Sequence, residues 1–249
     1  MIKYDLFDMF GITIFIVLFF EVWKVSYSLM CPVSLIVPLF ILIIIGASFY
    51  GIKLQQRECF RECFFEKKSF ISRMLSHKLF IIIIYTFITI PLTISTIYLM
   101  LQYTHEMTKY LIAYIIFLYS SYRIVTGVLK GIVRDKFLLL FAKEITGKIT
   151  SLFAVAGYLY ILINQTLPKY LSENLLETIG NASNTVSSEC ILIDYILRLK
   201  IKIDSTLLWL VNDATNQMVD PIVVGSVWAV FVLVGSLAII GINTILLTP

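Results

Sequence analysis

Charge is what this sequence has little of. Only 14% of its 249 residues are Asp, Glu, Lys or Arg, against about 25% in soluble domains. Hydrophobic residues make up 59%, and the mean hydropathy is +0.91. A soluble fold of this size cannot hide so much apolar surface, which excludes a water-soluble globular protein. Four cysteines are too few for a disulfide scaffold. Two histidines serve the whole chain, so no histidine-rich metal site is expected. The Walker A, HExxH, GxSxG and dinucleotide fingerprints are all absent. No repeat of solenoid length occurs; the one short exact repeat is RECF-RECF at 57–64. The net charge of +4 gives no reason to expect a nucleic-acid partner. Asp5 and Asp8 precede the first apolar run, where a signal peptide carries positive charge, and no A-x-A-like site follows. That run is therefore expected to be a retained helix.

What the sequence has instead is long apolar runs. The expected fold is an all-α polytopic membrane protein with about six transmembrane helices, amphipathic surface helices and a small extramembrane domain before the last span. The spans are placed at 9–27, 32–52, 79–103, 110–130, 149–166 and 222–247. Pro32 suits a first helical turn, and Pro38 and Pro91 sit where a helix kinks. Thr86, Thr89, Thr93, Ser95 and Thr96 flank Pro91 and are expected to satisfy the backbone it leaves open. Trp23 and Tyr27 suit an interfacial belt. The six-residue link THEMTK at 104–109 predicts a helical hairpin.

Two basic stretches organise the rest. Residues 53–78 hold seven Lys or Arg. Phe60, Cys63, Phe64, Ile71, Met74 and Leu75 recur there near helical spacing, with Lys67 intruding. Residues 131–148 carry Lys136, Lys143 and Lys148 among apolar residues and read as a surface helix, or as one continuous with 149–166. Residues 168–221 are polar at first. Leu197–Asp204 then alternates as a strand does, although its surroundings also fit an amphipathic helix. The charges at Asp194, Arg198, Lys200, Lys202 and Asp204 argue against a span there. Asp220-Pro221 is an N-cap followed by proline at the first helical position.

With six spans, one side receives Lys3, the seven basic residues of 53–78, Lys130, Arg134, Lys136, Lys143 and Lys148. The other receives Lys24, Lys109, Lys169, Arg198, Lys200 and Lys202. The positive-inside rule then places both termini in the cytoplasm and 168–221 outside. The expected location is a bacterial inner (plasma) membrane, as a multi-pass protein. In this topology Cys31 and Cys190 are the external cysteines, while Cys59 and Cys63 stay reduced inside. Two free buried thiols are the ordinary expectation for Cys31 and Cys190; a bond between them is the alternative where the outside is oxidising.

Few residues are candidates for function. Arg123 lies within a span, where ionisable groups are costly; snorkelling to the headgroups is its ordinary explanation. Glu21 sits three residues from Lys24 near the end of the first span. Gly225 and Ala229 form a small-xxx-small pair, and Gly235 and Gly241 extend the small surface for helix packing. No catalytic constellation, cofactor or metal site is expected, and the chain is not read as an enzyme. The expected function is a non-enzymatic membrane component, a scaffold or pore-forming subunit of a larger assembly of the secretion, conjugation or defence kind. Its partners would be the bilayer, other proteins or further copies, and anionic lipid at the basic loops. The alternatives are a stand-alone small-solute or ion transporter, for which the halves show no inverted repeat, and, behind that, a membrane enzyme acting on lipid.

Overall fold

A chain in lipid has no water for its backbone, so each span must bond its own peptide groups as a helix. The computed structural model describes residues 6–64, 78–102, 107–164, 168–216 and 220–247. Among these the chain forms α1 (Leu6–Ser26), α2 (Cys31–Phe64), α3 (Lys78–Gln102), α4 (Met107–Leu129), α5 (Asp135–Asn164), α6 (Leu175–Ser183), α7 (Ile191–Asn216) and α8 (Pro221–Leu246), with no strand. The protein is all-helical, as its composition required. Four segments among the described residues are long and apolar enough to cross a membrane: Cys31–Gly51, Ile82–Gln102, Lys109–Leu129 and Pro221–Leu246. Of the other two expected spans, residues 9–26 fall in α1 and residues 149–164 in the second half of α5.

Several boundaries differ from the sequence expectation, each for a local reason. Helix α2 does not stop at Ile52 but continues to Phe64, over 34 residues. Nothing from Lys53 to Phe64 breaks a helix, its Gln, Arg and Glu are good helix formers, and Lys53 Nζ donates to Gln56 Oε1 at 2.7 Å one turn on. The apolar positions Ile71, Met74 and Leu75, with Lys67 and His77, lie outside the described residues, as does the His105–Glu106 link. Residues from both the 131–148 stretch and the following expected span form one helix, α5 (Asp135–Asn164), after a turn in which Gly131 adopts φ +104; glycine takes that left-handed conformation without a Cβ clash. The alternating run Leu197–Asp204 is helical and not a strand. The wider pattern explains this: Ile193, Leu197, Lys200, Ile201, Ser205 and Val211 lie on one buried face, which is helical spacing.

Helices α1, α2, α3 and α7 share one core. Phe20 and Trp23, Val37, Ile41 and Ile45, Leu92 and Ile97, and Ile193, Leu197 and Ile201 all belong to it. Trp23, expected at the interface, is fully buried, and its indole Nε1–H donates to the Ile97 carbonyl at 2.9 Å. A buried indole needs such a partner, and this one ties α1 to α3.

Pro91 is exposed on α3, and its neighbours do not repair the ladder it interrupts. The hydroxyls of Thr86, Thr89 and Thr96 donate to Ile82, Tyr85 and Leu92, each four residues back. None of them reaches Phe87, whose carbonyl the proline leaves without its usual donor. Thr89, Thr93, Ser95 and Thr96 instead form a buried polar strip where α3 meets its neighbours.

Helix α8 opens as its sequence signals: the Asp220 carboxylate accepts from the Ile222 N–H at 2.9 Å, with Pro221 following. Its small residues divide into two sets. A Cβ on Gly241 would lie 2.0 Å from Thr96 Oγ1 and 3.2 Å from the Leu92 carbonyl oxygen. One on Gly235 would lie 2.9 Å from the Tyr158 ring. These two glycines set how closely α8 approaches α3 and α5. Gly225 has nothing within 4 Å, and Ala229 is exposed, so this pair does not pack helices within one chain. Gly241→Ala is accordingly expected to cost about 1–3 kcal/mol, the usual price of overpacking. Gly225→Ala should leave stability unchanged or slightly raised. Thermal unfolding of the two variants in detergent distinguishes them, and equal midpoints would contradict the packing assigned to Gly241.

Candidate functional site

The expected charged positions, Arg123 and Glu21, make local contacts within their own helices. Arg123 lies exposed on α4 with its guanidinium carbon 5.0 Å from the Tyr119 ring centroid. That cation–π contact needs no second helix. Glu21 pairs with Lys24 at 3.5 Å along α1, as the spacing of three suggested.

Two other features converge instead where α7 meets the bundle. The first is covalent. Cys31, at the start of α2, is bonded to Cys190, just before α7, across a sequence separation of 159. Hydrogen bonds accompany the bond: Ser188 Oγ donates to the Tyr27 carbonyl, and the Glu189 N–H to the Ser28 carbonyl. The beginning of α7 is thus held on the turn between α1 and α2.

The second feature is an ion pair whose lysine is buried and whose aspartate is partly buried. Lys200 and Asp204 are four apart on α7, so they meet on one face. Lys200 Nζ donates to both carboxylate oxygens of Asp204, at 2.6 Å to Oδ2. Lys200 is only 7% exposed. Its ammonium also lies 5.5 Å from the ring centroid of Tyr98 on α3, and the Tyr98 hydroxyl accepts from Gln102 Nε2 at 2.9 Å. Tyr158 of α5 and Tyr170 lie within electrostatic range of Asp204. Burial holds the Asp204 carboxyl above the usual carboxylate range, with Lys200 acting in the opposite direction. Burial, then the Asp204 charge, raises the Tyr170 hydroxyl in the same way.

Helix α6 supports this arrangement from outside. Asn174 caps α6 by accepting from the Leu176 N–H at 2.9 Å. Thr178, buried, exchanges hydrogen bonds with Ser172. On α7, Arg198 Nε donates to Asp194 at 2.7 Å while its Nη1 reaches the Ser183 carbonyl at 3.3 Å. That hydrogen bond from Arg198, with one from the Ser188 N–H, holds Asp194 below the usual carboxylate range. Trp209 Nε1 donates to the Glu173 carbonyl at 3.3 Å.

Sequence reasoning missed this pair because it counted Lys200 and Asp204 among charges that exclude a span. Their signal was present: opposite charges four apart, flanked by Leu197, Ile201 and Ser205 at helical spacing. Asn243 was missed in the same way. It is buried in α8, and its amide Nδ2 donates to the Gly147 carbonyl at 2.9 Å, Thr150 Oγ1 at 3.0 Å and Ser151 Oγ at 2.8 Å. A lone asparagine in an apolar helix was the clue.

Chemically, the pair neutralises itself. No group of three or more metal-ligating side chains occurs among the described residues. No family model, curated protein or solved structure matches the chain.

Proposed function

We propose that this chain is a non-enzymatic integral membrane component, a scaffold or pore-forming subunit of a larger assembly. In this reading α1 and the second half of α5 join the four apolar segments to make six spans. The ends of the chain face the cytoplasm of a bacterial inner membrane, and α6 and α7 form a cap on the outer face. The Cys31–Cys190 bond supports this orientation, because disulfides persist in oxidising compartments. The distribution of Lys and Arg supports it independently.

The observation that carries the assembly reading is the outer face of α7. Ile191, Tyr195, Leu199 and Ile203 follow one another at intervals of four and are all exposed, with Leu192 and Leu210 beside them. The opposite face is buried on the bundle. An apolar stripe on an element outside the spans calls for a covering partner. The uncovered Gly225–Ala229 pair at the start of α8 adds small surface of the kind that admits a second helix.

The test is a photo-crosslinking amino acid at Tyr195, irradiated in native membranes, with one at exposed Lys169 as the comparison. A protein adduct of discrete mass from position 195 and none from 169 is expected. Lipid adducts alone from position 195 would refute the reading. The transporter reading has one observation in its favour, the buried Lys200–Asp204 pair, since buried ionisable groups in membrane proteins often line ion pathways. Solute or proton flux into proteoliposomes that is lost in Asp204→Asn would favour it.

A further inference from the structure

A groove of about 570 Å³ lies between α2, α5 and α8, away from the ion pair. Its character changes along its length. Lys53 of α2 and Lys143 and Lys148 of α5 line one end. Leu152 and Val155 of α5 and Leu233 of α8 line the other. The order follows from how α5 and α8 run past each other: Asn243 meets Gly147 and Thr150, while Gly235 meets Tyr158. From residue 143 to residue 155 the groove follows α5 for about 18 Å, at 1.5 Å per residue.

The cationic end carries more positive charge than its own acid balances. Glu144 is its only carboxylate among the lining residues. Glu144 is already engaged: it accepts from Lys148 Nζ at 2.9 Å and from Gln56 Nε2. Lys53 Nζ is turned to Gln56 Oε1. Lys143 has no hydrogen-bond or ion-pair partner among the described residues, although it is half-buried and its burial alone lowers its amine below the usual lysine range. A half-desolvated ammonium without an anion is an unfavourable arrangement that a bound anion would correct.

We propose that this groove binds an anionic phospholipid, its phosphate headgroup between Lys53, Lys143 and Lys148 and an acyl chain along Leu152, Val155 and Leu233. Charge complementarity selects the headgroup, and the graded walls match an amphiphile whose one end is charged and the other apolar. In the six-span topology this end of the groove is at the cytoplasmic leaflet, where anionic lipid is available. The inference rests on the chain being in a membrane and not on its having protein partners.

The experiment uses the full-length chain, purified in neutral detergent and stripped of lipid. It is titrated with dioleoyl phosphatidylglycerol, with dioleoyl phosphatidylcholine and with oleate, each followed by native mass spectrometry. Phosphatidylglycerol is expected to bind about thirtyfold more tightly than phosphatidylcholine, the size of effect expected when two lysines each contribute about 1 kcal/mol. Lys53→Gln with Lys143→Gln should bring it down to the phosphatidylcholine level, and Lys169→Gln should change nothing. A second measurement keeps all the lysines: alkylation of Val155→Cys, read at that peptide, should slow several-fold with phosphatidylglycerol and not with phosphatidylcholine. Equal binding of the two phospholipids, tighter binding of oleate than of phosphatidylglycerol, an unaffected double variant, or no protection at position 155 would each overturn the proposal. Because bound lipid is counted on each species separately, a failure of assembly and a failure of lipid binding are read as different masses.

Discussion

Lys200→Met should destabilise the protein by about 3–5 kcal/mol, the cost of leaving one partner of a buried ion pair alone. The methionine fills much of the lysine's volume, so the loss is electrostatic and not a cavity. Asp204, already held above the usual carboxylate range by burial, would lose the one charge that opposes that shift. Its folded-state pKa would rise further. A carboxyl whose folded pKa lies above its unfolded value contributes stability that is fully present below the unfolded pKa and is lost as pH rises through the folded pKa. The variant is therefore expected to be more stable near pH 5 than near pH 8 relative to the unsubstituted chain. Replacing both residues, Lys200→Met with Asp204→Leu, should restore most of the stability, because a buried pair roughly breaks even against apolar residues of similar volume. Thermal unfolding in detergent at the two pH values, with the two single variants and the double variant, completes the cycle. Additive losses in the double variant would mean that the pair does not act as a unit.

Cys31→Ser should have an effect of similar size. The Cys31–Cys190 bond closes a loop with a sequence separation of 159. Constraining so long a loop in the unfolded chain is worth about 5 kcal/mol in the loop-entropy account, and native disulfides cost about 2–5 kcal/mol when removed. The loss should appear first at one place. The start of α7 is held on the α1–α2 turn by this bond and by Ser188 and Glu189, so hydrogen exchange should rise in α6 and early α7 before α3. On a non-reducing gel the wild-type chain should migrate faster than Cys31→Ser, and reduction should abolish the difference. Unchanged mobility would mean that the thiols are free, which was the ordinary expectation from sequence.

Much of the fold was legible in the sequence because lipid imposes a simple rule. Apolar runs of sufficient length become helices, and the starts of α3, α4 and α8 lie within three residues of the expected positions. Helix ends inside polar sequence were less legible. The extension of α2 to Phe64 needs no apolar run, only an absence of breakers. At Leu197–Asp204 two periodicities compete over eight residues, and only the burial of Ile193 and Val211 on the same face decides for the helix. The roles of single residues were least legible. Gly225 and Gly241 are alike in sequence, yet one faces open space and the other touches Thr96. Trp23 resembles an interfacial anchor until α3 supplies the Ile97 carbonyl. Lys200 and Asp204 read as solvated charges because nothing local says that Tyr98, far away in sequence, will lie over them.

The central claim is that one chain is not the working unit. The most direct measurement is native mass spectrometry of the protein extracted gently from its own membrane through an affinity tag. A species of defined mass containing additional chains is the predicted result, and Ala229→Phe should dissociate it without lowering the unfolding temperature of the single chain. A lone species at 28.5 kDa plus the tag, at every detergent concentration that keeps the protein folded, would contradict the account.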